Sequence, residues 1–185
     1  MVAQSEDEGV EAAAFPADLS DPAGVPALVD AIRDRFGQID VVEYGPIGSD
    51  QTFTPAVQLD AATLERLSGL LLLTPVEAFR AVLPEMTERG DGALLMTTGY
   101  SAVQPMAHLS GPGPVTAASR HYLYSLNAEL AGTLAIAAMI TGSEGAAAAD
   151  PELTRTFPAV DPAELAEHYW NMYTKRDRVE QVMGL

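Results

Sequence analysis

The chain has 185 residues, 48% of them hydrophobic, enough for one domain with a self-sufficient core; having no cysteine, it carries no disulfide, thiolate metal site or cysteine nucleophile. Ten Lys plus Arg against 26 Asp plus Glu give a formal charge of −16, which repels phosphate backbones and anionic lipid and predicts neither nucleic-acid nor membrane partners. The opening MVAQSEDEGVE is acidic where a secretory leader is basic and then apolar, and no later run reads as membrane-spanning, so the expected setting is the cytoplasm.

The SEDEGVE run reads as a solvated, frayed terminus, and residues 11–15 as a short apolar strand bounded by Pro16. Asp21 followed by Pro22 is a helix start, Val25, Leu28, Val29, Ile32 and Phe36 repeat at helical spacing, and Gly37 stops the helix. Residues 39–44 form a β-branched run that Gly45 and Pro46 end sharply. After a loop over 46–59, Asp60 caps a long helical pattern over 60–88 through Leu64, Leu67, Leu71, Ala78 and Val82, with Pro75 expected to bend it. Gly90-Asp91-Gly92 makes a turn into a strand over 93–98, followed by a loop over 99–114 rich in Pro and Gly. A helix over 115–131, a strand over 133–140 and an Ala-rich loop over 142–158 come next. Asp161, Pro162 and Glu164 then start a helix through Leu165, Tyr169, Met172 and Tyr173, and residues 179–183 form a last short strand. Trp170, Tyr169 and Tyr173, at helical spacing, read as core packing.

Strands alternating with helices predict an α/β class: a three-layer parallel sheet with helices on both faces and right-handed crossovers. In such sheets ligands lie beyond the carboxyl ends of the strands, here the segments after Phe15, Tyr44, Thr98 and Ile140.

Three stretches carry a family resemblance: Ala17-Asp18-Leu19, Ile39-Asp40-Val41-Val42 leading into Tyr44-Gly45-Pro46-Ile47, and AVLPEMTERGDGALLMTTG, a helix end, Gly turn and strand. The chain resembles the short-chain dehydrogenase/reductase family, entering part-way into it. The resemblance implies one incomplete Rossmann-like domain over 1–185 that lacks the first two strands of the usual fold. It also implies NAD(P)-dependent oxidoreductase ancestry. By the same resemblance Asp18 and Leu19 stand where the adenine is contacted, and Gly45 where an Asn-Asn-Ala-Gly turn is usual. Gly142 stands at the nicotinamide-contacting turn, with Thr141 in place of its proline. Thr98 takes the catalytic serine position, with Ser101 close enough to compete. Thr116 and Arg120 take the positions of the catalytic tyrosine and lysine, and Leu71 that of the asparagine.

These positions are degenerate. Lys175 is the sole lysine and residue 171 is Asn, so Tyr-x-x-x-Lys occurs nowhere, and neither does G-x-x-x-G-x-G or G-x-G-x-x-G. Those glycines let backbone N–H groups approach a pyrophosphate, so NAD(P), the cofactor implied by resemblance, is expected not to bind this chain. His108, His121 and His168 lack metal-ligand spacing, and no metal is expected. Bland readings stand beside these: Asp18 as part of a capping turn, Thr97 and Thr98 as an ordinary strand end, Arg120 as a structural ion pair, Gly142 as a plain turn. The functional expectation is a family member with little or no redox activity of its own. The alternatives are a cofactor-free pseudoenzyme or binding subunit, or a non-redox isomerase or lyase using a pocket beneath the 99–114 loop.

The family's sheet order, 3-2-1-4-5-6-7, raises an edge problem, since strands one and two would separate residues 11–15 from residues 39–44. Three outcomes are open: residues 11–15 pair beside 39–44, they are poorly ordered, or the open edge self-associates. A homodimer through helices 60–88 and 115–131, or through the exposed sheet edge, is also left open.

Overall fold

The computed structural model describes residues 2–7, 9–46, 54–131, 135–142 and 161–183. Four strands, β1 (Val41–Tyr44), β2 (Gly92–Gly99), β3 (Ala135–Gly142) and β4 (Glu180–Val182), form one all-parallel sheet in the order β1-β2-β3-β4. This is the order of the last four strands that the resemblance implies. β2 is central and buried from Gly92 to Met96, which explains its near-continuous apolar run.

Alternation along β2 divides the core. Leu94 and Met96 pack with Tyr44 against α2 (Val25–Phe36), α4 (Thr74–Arg89) and α5 (Pro112–Leu130) through Val25, Val29, Phe79, Val82, Met86, Leu123 and Leu126. Leu95 faces the other way, against Met172 of α6 (Pro162–Lys175) and Met183. Helices on both faces make the three layers of a Rossmann-like fold. The acidic terminus holds a short helix, α1 (Val2–Asp7), where sequence predicts fraying.

The long helix expected over 60–88 is three pieces: α3 (Ala61–Ser68), a π-helical turn (Gly69–Leu73) and α4. Asp60 caps α3 by accepting from the Thr63 N–H at 2.8 Å. Pro75 is the reason for the π-turn, since it offers no N–H to the preceding carbonyls. Side chains take them instead: the Tyr44 hydroxyl donates to Leu70 O at 2.6 Å, and the Ser119 hydroxyl donates to Leu71 O. Thr74 Oγ1 donates to Leu19 O at 2.8 Å, and Gly69 admits Ser20 O so closely that a Cβ there would lie 2.5 Å from it. The wide turn thus anchors both the 18–20 segment and the end of β1. By length and composition Ala61–Arg89 could cross a membrane, contrary to the reading that no run could. Its Leu67, Leu71, Phe79, Val82 and Met86 are buried in the protein core.

Residues 11–15 form no strand, which corrects the sequence expectation. They do not pair beside 39–44, because among the described residues β1 bonds to β2 alone. A strand exists only where a neighbour takes its backbone groups; here the segment lies along α2, with Phe15 edge-on to Phe36 at 6.3 Å and Glu11 ion-paired with Arg35. The 99–114 loop is shorter than predicted, since Tyr100–Ala102 forms a 3-10 turn and α5 starts at Pro112. Of the two other predicted loops, residues 47–53 and 143–160 lie outside the described residues.

Candidate functional site

The carboxyl ends of β1 and β2 bring the predicted positions into one region of the fold, but not into one working cluster. Thr98, near the end of β2, is buried at 7% exposure, and its hydroxyl has no hydrogen-bond partner among the described residues. Thr116, on the facing helix α5, is also buried, and its hydroxyl is directed into its own first turn, toward Pro112 O at 2.9 Å and Gly113 O at 3.1 Å. Ser101 lies in the 3-10 turn beside Gly113, where an added Cβ would meet Ser101 O at 3.5 Å. Leu71 is buried and apolar, its carbonyl already taken by Ser119.

Arg120 reaches the last strand. Its Nε donates to Glu180 Oε1 at 3.0 Å and Oε2 at 3.1 Å, and Nη2 reaches Oε2 at 2.6 Å. The guanidinium lies over the Tyr124 ring at 4.9 Å, and the Tyr124 hydroxyl donates to Glu180 Oε2 at 2.8 Å. The Glu180 side chain is only 6% exposed, so the pair is a strut between α5 and β4. Hydrogen bonding to Glu180 holds the Arg120 pKa above its ordinary value, and burial followed by the Glu180 carboxylate pushes that of Tyr124 up.

Asp18 is exposed and engaged locally, accepting the Ser20 N–H at 2.9 Å and the Ser20 hydroxyl at 2.6 Å. Those two bonds hold its carboxyl below the usual carboxylate range. Leu19 is half-buried against the core, its carbonyl bonded to Thr74. The capping-turn reading of Asp18 therefore describes its geometry. Gly142 is the last residue of β3, paired with Gly99, which corrects its assignment to a turn.

On the opposite face of the sheet lies a grouping that sequence reasoning misses. Thr97 Oγ1 donates to Glu43 Oε1 at 2.7 Å, the Tyr169 hydroxyl reaches the same oxygen at 3.2 Å, and the two hydroxyls bond each other. Tyr169 is thus a polar partner as well as core packing, and Trp170, expected in the core, is 65% exposed. The one signal in the sequence is Glu43, an acid inside an apolar strand.

Gly45 sits over this trio: a Cβ there would lie 2.7 Å from Glu43 Oε1 and 3.0 Å from Thr97 Oγ1. A dinucleotide's diphosphate needs converging amides or a cation, and Gly45 meets a carboxylate instead. The described residues at this end of the sheet do not fit that group. An open apolar depression of about 360 Å³ is lined by Pro55, Val57, Pro105, Met106 and His108. Among the described residues no three His, Asp or Glu side chains converge as metal ligands.

Comparison with known proteins accords with this architecture. The model of the short chain dehydrogenase family matches residues 1–149. The 1-deoxy-11-beta-hydroxypentalenate dehydrogenase of Streptomyces exfoliatus is 32% identical over 135 residues, 68% of this chain and 46% of that protein. Levodione reductase of Leifsonia aquatica is 29% identical over 110 residues, 60% of this chain and 39% of the relative. The chain therefore spans less than half the length of these curated relatives. A short-chain dehydrogenase/reductase structure from Burkholderia xenovorans superposes with a TM-score of 0.83 at 19% identity, covering 98% of this chain and 77% of that one. A metagenomic short-chain oxidoreductase in complex with NADP gives a TM-score of 0.80 at 17% identity, with 98% and 77% coverage.

Proposed function

The chain belongs to the short chain dehydrogenase family of oxidoreductases, and from that premise we propose that it performs no hydride transfer by itself and acts as a cofactor-free binding member of the family. The observation that carries the proposal is the engagement of both α5 positions: the Thr116 hydroxyl with carbonyls of its own helix, and the Arg120 guanidinium with Glu180. A threonine hydroxyl is far too weak an acid to replace a phenol as proton donor to a carbonyl oxygen. Releasing Arg120 would leave Glu180 buried without its cation, at a cost of about 3 kcal/mol. The Glu43 carboxylate beneath Gly45 disfavours a diphosphate, which supports the cofactor-free reading. The formal charge of −16 and the lack of cysteine favour a reducing, cytoplasmic setting without nucleic-acid or membrane partners.

Titration of the whole chain with NADH and NADPH, followed by cofactor fluorescence, tests the proposal. The expected result is no saturable binding in the micromolar range. Micromolar binding of either cofactor would overturn it.

A further inference from the structure

We propose that the Asp91-Gly92 peptide is a modification site of this chain, converting to isoaspartate through a cyclic imide, and that Arg176 is the residue that holds the reaction back. The site lies at the end of the sheet where β2 begins, and its chemistry is independent of the binding role above.

The sequence holds one such site. Asp91-Gly92 is the only Asp-Gly pair in the chain, and Asn-Gly does not occur. Closure requires the backbone nitrogen of the following residue to reach the aspartyl Cγ, and glycine carries no side chain to obstruct that approach. The Gly92 nitrogen gives up its proton and bonds to Asp91 Cγ, and one carboxyl oxygen leaves as water. Water then reopens the ring. Breaking the new bond to Cγ returns aspartate; breaking the bond to the main-chain carbonyl carbon leaves isoaspartate, with the backbone running through Cβ. Nothing is oxidised or reduced, and the water released is taken up again.

The fold makes this glycine compulsory. Gly92 opens β2 against the fully buried Met86, and a Cβ there would lie 2.5 Å from Met86 Cγ and 2.8 Å from Met86 Cβ. A bulkier residue, which would slow the closure, has no room. The Asp91 side chain is 63% exposed, so water reaches it, and its carboxylate accepts the Gly92 N–H. The two reacting groups are therefore adjacent and solvated.

A clamp opposes the reaction. Arg176 Nη2 donates to Asp91 Oδ1 at 2.5 Å, the Asp91 N–H donates to Met86 O at 3.1 Å, and Arg89 Nη2 reaches Asp91 O at 3.4 Å. An ionised carboxylate is a poor electrophile, and hydrogen bonding from Arg176 holds the Asp91 carboxyl below the usual carboxylate range. Arg176 stands at the left-handed position that ends α6, with φ 51°, one of two non-glycine residues with positive φ among the described residues. Glycine is the residue that suits such a position, so an arginine there carries backbone strain, which its bond to Asp91 offsets. The clamp joins the end of α6 to the turn that opens the central strand, so undocking of that end exposes the site.

The test is incubation of the full chain at neutral pH and physiological temperature, with isoaspartate at residue 91 read by peptide mapping and electron-transfer fragmentation. It should accumulate slowly in the folded wild type and about fivefold faster in Arg176→Gly, since losing the paired cation raises the uncharged fraction of the carboxyl. Glycine suits the left-handed position, so α6 keeps its end and thermal unfolding should stay near that of the wild type. Arg176→Lys should recover part of the restraint. In urea the clamp is gone, and both chains should isomerise at one rate, above that of the folded wild type. Should Arg176→Gly not fold, the wild type in high salt, which screens the exposed pair, serves instead and should isomerise faster at the same residue. Equal rates with and without the guanidinium in the folded chain, or at low and high salt where salt replaces the variant, overturn the proposal. So does an absence of isoaspartate at residue 91 in urea.

Discussion

Thr97 and Thr98 are neighbours in β2, yet the two faces of the sheet use their hydroxyls in opposite ways. On the α6 face Thr97 joins Glu43 and Tyr169 in a set of mutual hydrogen bonds. On the α5 face Thr98 is buried with no partner among the described residues, while the hydroxyls around it serve the backbone: Tyr44 on Leu70 O, Ser119 on Leu71 O, Thr116 on Pro112 O. The face on which the family resemblance puts the chemistry has its polar side chains committed to holding helices together. A hydroxyl left over among them marks a position that its surroundings no longer support.

The largest effect should come from cutting the strut on the α5 face. Arg120→Ala takes from the buried Glu180 carboxylate the guanidinium that pairs with it, and should lower stability to denaturant by about 3 kcal/mol, with Arg120→Lys recovering part of the loss. A loss below about 0.5 kcal/mol, the range of an exposed pair, would remove the contrast between the faces.

Tyr44→Phe comes next. It leaves Leu70 O without its donor beside Pro75, at a cost of about 1–2 kcal/mol in thermal or chemical unfolding. The same residue predicts a pH dependence. Burial raises the Tyr44 pKa above its ordinary value of 10.0, so the unfolded chain ionises first. Stability is complete below that value and declines as pH rises beyond it toward the folded pKa. Tyr122 and Tyr124 are raised as well and act in the same direction. Unfolding measured between pH 8 and 11, wild type against Tyr44→Phe, should show a shallower alkaline decline in the variant, at values within about one unit of the model phenol.

What the sequence makes legible divides along similar lines. The helix starts at Asp60 and Asp161 and the strands around residues 41–44 and 93–98 are readable because a cap or an apolar run is written within a few residues. The 11–15 strand fails because a short apolar run describes a strand only if a neighbour is there to bond it. The π-turn is half legible: Pro75 announces a disturbance, but its form depends on Tyr44 and Ser119, which lie 26 and 48 residues from the carbonyls they serve. Arg120 is recognisable by position, whereas its engagement depends on Glu180, 60 residues on. Positions can be read from one sequence; the partners that decide their use are set by packing.

Paired substitutions at the two threonines give the smallest effects and the sharpest test of the contrast. Thr97→Val removes a hydroxyl that bonds both Glu43 and Tyr169, and should cost about 1 kcal/mol. Thr98→Val replaces a buried hydroxyl by a methyl group of nearly the same shape. The hydroxyl makes no bond with a described residue but is solvated in the unfolded chain, so its removal should leave stability unchanged or raise it by up to about 1 kcal/mol. The sign is the informative part. If Thr98→Val destabilises the chain as much as Thr97→Val does in the same denaturant series, the Thr98 hydroxyl has a bound partner of its own. The α5 face would then retain a polar site instead of a leftover hydroxyl.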